Sequence, residues 1–333
     1  MFKKVPVLNF MTLTKIVRLL WSGYDVQNTM AEYFLEGDQT LEKWSSIEES
    51  LKLKIGKCFI LPNELKIVLL SLVNPIGGRI KKIIQHMYRK DYLPSHFMSI
   101  LSWTLLGTID VKKTAEAVIK DDYLPITKRY EIACTYCLKD EILMLWRELP
   151  ETNKEEYFNA RGSDCLRLYI PIYWAYYMTV ELNRLDRKIQ EEYNAQLPSH
   201  FFGILCAGHI TVNQPAVEYF LGKSSVEKRE EYLECFFQSV TFRVVTDIYL
   251  CDLIYFLLAQ LNENQRKSIF EKYAYRILNN FLEFPYGGIF LEIESLVQKY
   301  LTVDQVKDLE GRYKEMCRYF VFSTFDKNLR KLL

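Results

Sequence analysis

Turn-forming residues are scarce in this chain, which has only 13 glycines and 10 prolines among 333 residues. A β-sandwich or barrel needs many such residues between short strands, so an all-β fold is excluded at the outset. Phosphate-cradling loops are missing too: neither GxxxxGKS/T nor GxGxxG occurs, which removes the common nucleotide-binding arrangements. There is no Asn-x-Ser/Thr acceptor, as suits a cytosolic or nuclear chain. The longest stretch without Asp, Glu, Lys or Arg, Tyr193 to Val217, is broken by Pro198, His200, Gly208, His209, Asn213, Gln214 and Pro215, so it reads as no membrane span. Met1-Phe2-Lys3-Lys4 and the apolar residues after it are interrupted by Lys15 and Arg18 without a small-residue cleavage site, and they read as no secretion signal.

A surplus of one charge is also absent. The 43 basic and 42 acidic residues nearly cancel, which disfavours a global drive toward nucleic acid or an anionic membrane. The balance is mildly polar along the chain, because residues 1–92 hold 14 basic and 9 acidic residues.

What is present is apolar and aromatic: 49% hydrophobic residues, with 23 Tyr and 20 Phe. A large core is available, and with little turn material it predicts helices. Eight cysteines (58, 134, 137, 165, 206, 235, 251 and 317) are scattered mostly through apolar stretches. They read as buried thiols of a cytoplasmic, reducing compartment.

Internal repetition is the most informative pattern. Leu93-Pro94-Ser95-His96-Phe97 recurs as Leu197-Pro198-Ser199-His200-Phe201, and Gly107-x-Ile109-x-Val111 with Ala115 recurs as Gly208-x-Ile210-x-Val212 with Ala216. The spacing predicts two equivalent helical hairpins, each turning at its glycine. Capping pairs predict helix starts at Thr152/Glu155, Ser224/Glu227, Asn262/Gln265 and Thr302/Gln305. Asn74-Pro75-Ile76-Gly77-Gly78 predicts a break between two helices. The fold expected is all-α, an α-solenoid of stacked antiparallel hairpins running as one array over residues 1–333. Irregular helices would fill 1–92, a first repeat block 93–196, and a second block with C-terminal helices 197–333.

Residues Arg129 to Trp146 carry a resemblance. Ala133 stands at a small-residue position in a first helix, Lys139-Asp140 fill a turn, and Ile142 with Leu145-Trp146 form a second helix's apolar set. This resembles a degenerate ankyrin repeat, as does Ala207-Gly208-His209. The same stretch, extended through Leu145-Trp146-Arg147-Glu148-Leu149-Pro150-Glu151, is similar to a lineage-expanded all-helical family of spider genomes. That resemblance implies a helical chain and no particular activity.

Chemistry is sparse. Cys134-x-x-Cys137 has no second ligand pair for zinc and no strand-helix setting for redox work, so core packing is the economical reading. His96 and His200 share a repeat position, which suits capping or core hydrogen bonding better than catalysis. The Tyr169, Tyr173, Trp174, Tyr176 and Tyr177 stripe has the spacing of a packed helix. Arg79, Lys81, Lys82, Arg89 and Lys90 follow the expected Gly77-Gly78 break, where helix-start amides and basic side chains would meet an anion. Catalytic, cofactor and metal residues are expected to be none. The functional expectation is a non-enzymatic scaffold for an unknown protein partner, with no cofactor, nucleic acid or membrane. The alternative is a nucleic-acid or anion-binding repeat protein using the basic first third.

Overall fold

The computed structural model describes residues 8–35, 41–89, 91–162, 166, 168–193, 198–242, 248–282, 284–288 and 290–319. Among these there is no strand, only the isolated bridges Arg89–Tyr92 and Trp103–Ile109. The protein is all-α.

Its eighteen described α-helices are α1 Leu8–Trp21, α2 Tyr24–Leu35, α3 Leu41–Gly56, α4 Asn63–Met87, α5 Phe97–Ile100, α6 Val111–Val118, α7 Ile126–Thr135, α8 Lys139–Glu148 and α9 Glu151–Asn159. They continue with α10 Tyr169–Met178, α11 Leu182–Tyr193, α12 Ser199–Leu205, α13 Gln214–Lys223, α14 Val226–Phe242, α15 Leu250–Gln260, α16 Glu263–Phe281, α17 Phe290–Val297 and α18 Val303–Tyr319.

Contacts divide the chain into two units. One runs from the N-terminal side through Asp110 and takes up the chain again from Phe270; the other is Val111–Ile269. These units are not the sequence blocks bounded at residues 92 and 196, because packing rather than the duplicated pentad sets the division.

In the first unit the core forms around two tryptophans. Trp21 of α1 stacks on Trp44 of α3 with centroids 5.3 Å apart, and Tyr33 and Phe34 of α2 close around Trp44. The Trp21 indole donates to the Val73 carbonyl of α4 at 3.2 Å. Trp21 is fully buried, and its truncation to Ala would cost about 3–5 kcal/mol.

The break expected at Asn74–Gly78 does not occur: α4 continues through Pro75. Its apolar face, including Leu69, Leu72, Val73, Ile76, Ile80, Ile83 and Met87, keeps helical spacing on both sides of the proline. Burial of that stripe outweighs local propensity. Gly77 serves packing here, since a Cβ on it would lie 2.2 Å from the Trp21 ring. From the chain's later part, Tyr275 of α16 donates to Asp308 of α18 at 2.7 Å, and Phe290 stacks on Tyr313 at 5.1 Å.

In the second unit α10 is the central element. Tyr169 through Tyr176 are all buried, and the helix packs against α7, α8, α9, α11 and α12. A helix apolar on every side belongs inside. Its aromatics interlock with their neighbours: Tyr176 with Phe158 at 5.0 Å, Tyr173 with Phe220 at 4.8 Å, and Tyr169 with Phe202 at 4.9 Å.

Helices next to each other in the chain pack together, notably α7 with α8 and α12 with α13. The α7–α8 turn is Tyr136-Cys137-Leu138, with Cys137 at φ 53° and the Leu138 amide donating to the Ala133 carbonyl at 2.9 Å. Lys139 and Asp140, expected in that turn, already belong to α8.

Two predicted capping boxes form reciprocally. In one, the Gln265 amide donates to Asn262 Oδ1 and the Asn262 amide to Gln265 Oε1, both at 2.9 Å. In the other, Thr302 and Gln305 exchange the same bonds at 3.0 and 3.2 Å. The Thr152 pair is displaced, because Pro150 stands at the cap of α9 and its carbonyl accepts from Asn153 and Lys154. At α14 the hydroxyl that accepts from the Lys228 amide belongs to Ser225 rather than Ser224.

The two pentad segments diverge. Both begin alike, with the Phe97 amide donating to Pro94 O at 3.0 Å and the Phe201 amide to Pro198 O at 2.9 Å. After that α5 lasts four residues and gives way to a turn closed by Thr104 and Thr108, whereas α12 runs directly into a π-helix, Cys206–Ile210. Gly107 occupies the turn at φ +75°, but Gly208 lies inside the π-helix. The expected equivalence of the two glycines is therefore corrected. Leu197 lies outside the described residues.

Candidate functional site

Four of the five basic residues expected to form an anion site are described, and each meets different surroundings. Arg79 is 1% exposed, donates to the Phe284 carbonyl at 3.3 Å and lies 5.8 Å from the Phe284 ring. Lys81 places its ammonium 5.0 and 5.4 Å from the Tyr33 and Trp44 rings, where cation–π attraction engages it. Lys82 is half-buried. Arg89 is exposed and clamps Asp91 with two bonds of 2.8 and 2.6 Å. Lys90 lies outside the described residues. Because α4 is continuous through Gly77-Gly78, its amides there are spent inside the helix and do not form a helix-start pocket.

The cysteine pair is chemically quiet. Cys134 and Cys137 are buried thiols. Burial pushes the Cys134 thiol well above its ordinary range and the Cys137 thiol up to about 12. A nucleophilic or metal-binding cysteine needs thiolate character, which burial here opposes. The hydroxyl of Tyr130 and the indole N–H of Trp174 are buried facing these two sulfurs. Cys58, Cys206, Cys235 and Cys251 are also thiols rather than disulfides.

Histidine chemistry is equally limited. His96 is exposed at the start of α5. His200 is half-buried with its ring centroid 6.3 Å from that of Tyr232, and desolvation lowers its pKa against the opposing effect of Asp186. Asp186 uses Oδ1 to accept the Ser199 amide at 2.6 Å, so it serves as a cap for α12. The side chain of His209 lies outside the described ones. Among the described residues no group of three or more His, Cys, Asp or Glu is placed to hold a metal. No described helix is long and apolar enough to cross a membrane.

The feature that sequence reasoning missed is the crest between α3 and α4. Phe59 is 97% exposed and Ile60 92%, and Leu53, Leu65 and Ile67 are exposed on the adjoining helix ends. Single exposed apolar residues are ordinary, but two adjacent ones almost wholly exposed at the tip of a hairpin stand out.

The crest is held rather than loose. The Lys57 amide donates to Leu53 O at 3.0 Å, Pro62 stands at the α4 cap with its carbonyl accepting from Lys66, and the Lys66 ammonium reaches across to Gly56 O at 3.1 Å. In sequence, Cys58-Phe59-Ile60-Leu61 looks like core. The available signal was its position, an apolar run with no polar turn residue lying between a helix ending at Gly56 and a helix-starting Pro62-Asn63.

Compared with known proteins, the chain matches no family model, no curated protein and no solved structure.

Proposed function

We propose that this protein is a non-enzymatic interaction scaffold or adaptor that docks through the crest of the α3–α4 hairpin. The observation that carries the reading is the exposure of Phe59 and Ile60 on a crest whose backbone is fixed at both ends. Solvating two adjacent large apolar side chains is unfavourable, and covering them releases that cost on docking.

In this reading the antiparallel pairs α7–α8 and α12–α13 are degenerate ankyrin-like hairpins of an α-solenoid that keeps such surfaces in shape. The cytoplasm, where the thiols stay reduced, is its compartment. The alternative of a nucleic-acid or anion-binding protein draws less support, since Arg79 is buried and Lys81 and Arg89 are already engaged.

The test is site-specific photo-crosslinking in the native cell with the reactive group at position 60. A single dominant adduct is expected there. It should be absent when the group stands at position 123, where Tyr123 is 85% exposed away from the crest in sequence. The same adduct pattern from both positions would overturn the reading.

A further inference from the structure

We propose that the surface covered by this crest is an anionic lipid bilayer, with Phe59 and Ile60 entering the boundary between headgroups and acyl chains. The inference rests on reading the crest as the docking surface and names its partner. It departs from the sequence-based expectation of no membrane, yet it requires no spanning helix.

Shape is the first argument. Phe59 and Ile60 are adjacent and almost wholly exposed, so they project with little protein beside them. A protein partner would have to supply a socket for such a wedge. A bilayer supplies it anywhere on its surface, and apolar burial at that depth drives interfacial binding.

Charge is the second. Between Leu51 and Lys66 the chain carries Lys52, Lys54, Lys57 and Lys66 against a single acidic residue, Glu64. Lys54 and Lys57 are exposed. Lys54 pairs with Asp25 and half-buried Lys52 with exposed Glu49; for the exposed Lys54–Asp25 pair, lipid phosphates and carboxylates compete readily. Lys66 donates to the Gly56 backbone carbonyl rather than to a carboxylate.

Lysines around an exposed apolar pair make the two signals that stable peripheral binding needs, one apolar and one electrostatic. The near-zero net charge of the whole chain does not oppose this, because at physiological salt only charges within about 8 Å of the surface contribute strongly.

The experiment uses the full chain and two sets of vesicles, phosphatidylcholine alone and phosphatidylcholine with about one third phosphatidylserine. Sedimentation should show binding to the anionic vesicles, at least about tenfold weaker binding to the neutral ones, and a loss of similar size in Phe59→Ser/Ile60→Ser. Both side chains are exposed, so the variant should match the wild type in helical content and melting temperature. A Phe59→Trp variant should shift its emission to the blue on anionic vesicles and be quenched by a label on the acyl chain.

Failure of the wild type to bind anionic vesicles overturns the proposal, as does unchanged binding by the double variant. If vesicle binding fails while crosslinking from position 60 captures a protein, the docking reading stands and the lipid assignment falls. A wild-type dimer that the double variant converts to monomer, without vesicle binding, also overturns the proposal and names a second copy as the occupant. If neither vesicles nor the crosslinker distinguish the crest, both readings fail.

Discussion

Segments 93–120 and 198–223 share a motif and differ in structure, and the difference shows what a repeated motif controls. In both, the proline carbonyl receives the phenylalanine amide and starts a helix. This is a local effect of the residues themselves, so it survives in two settings.

The path of each chain beyond that first turn depends on its neighbours. In the first segment Arg18 of α1 lies over the Trp103 ring at 4.4 Å, and Thr14 sits against Gly107, where the chain turns. In the second, Gly203 approaches Phe220 and Gly208 approaches Phe236, so aromatic rings of two neighbouring helices pack directly on its backbone. The Asn213 side chain then caps α13 through the Ala216 amide and donates to Thr135 O at 2.6 Å. The repeated glycine therefore serves both backbone conformation and close approach to Thr14 in one copy, and close packing on Phe236 in the other.

The strongest way to break this comparison is Gly208→Ala. The added Cβ would lie 2.2 Å from the ring of buried Phe236, and such overpacking costs about 3 kcal/mol. Chemical denaturation should show a lowered midpoint. Combining it with Phe236→Leu should cost less than the two single changes summed, since the smaller side chain relieves the clash. Simple additivity would show that the glycine acts through its backbone instead.

Gly107→Ala should cost a comparable amount, about 2–3 kcal/mol, because a left-handed φ of +75° adds to a close contact. The added Cβ would also meet Thr14 Cβ at 2.7 Å. Thr14→Ala leaves that carbon in place, so it should rescue little. A full rescue would mean that packing rather than conformation governs this site too.

Val180 sharpens the comparison from the other side. It follows α10 at φ 60° and is 91% exposed, a conformation that a β-branched residue adopts at a cost. Val180→Gly should raise stability by about 0.5 kcal/mol net, after the extra chain entropy of glycine is offset. A small upward shift of the melting temperature would register it, and a downward shift would contradict it.

The smallest effect concerns the paired histidines. Burial favours neutral His200, so its pKa lies below the ordinary 6.5. The unfolded chain takes up this proton near that value, and the folded chain does so only at lower pH. The contribution of His200 to stability is therefore complete above pH 6.5 and is lost as pH falls through the folded value. Proton NMR should find one imidazole titrating below the ordinary range, and that signal should vanish in His200→Gln. If the low-titrating imidazole persists in the variant, it belongs to another residue.

Legibility in the sequence tracks the range of the interaction. The Asn262/Gln265 and Thr302/Gln305 boxes can be read because donor and acceptor lie three residues apart. The aromatic stripe of α10 is readable as core for the same reason, its helical spacing being a local property. The helix break expected at residues 74–78 does not form because Pro75 and Gly77-Gly78 are local breakers whose effect is overridden by burial against Trp21. The crest escapes notice because Phe59 and Ile60 have the composition of core residues, and exposure is not encoded by composition.

Helical class, the lack of common nucleotide loops and the helix starts set by short-range hydrogen bonds all follow from the residue order alone. Only the tertiary structure decided that α4 runs unbroken, that Gly208 is a packing residue, and that the chain on either side of Val111–Ile269 contributes to one unit. The physical reason is that local hydrogen bonds and chain periodicity act over three or four residues. Burial, by contrast, is settled between side chains such as Trp21 and Gly77, more than fifty residues apart.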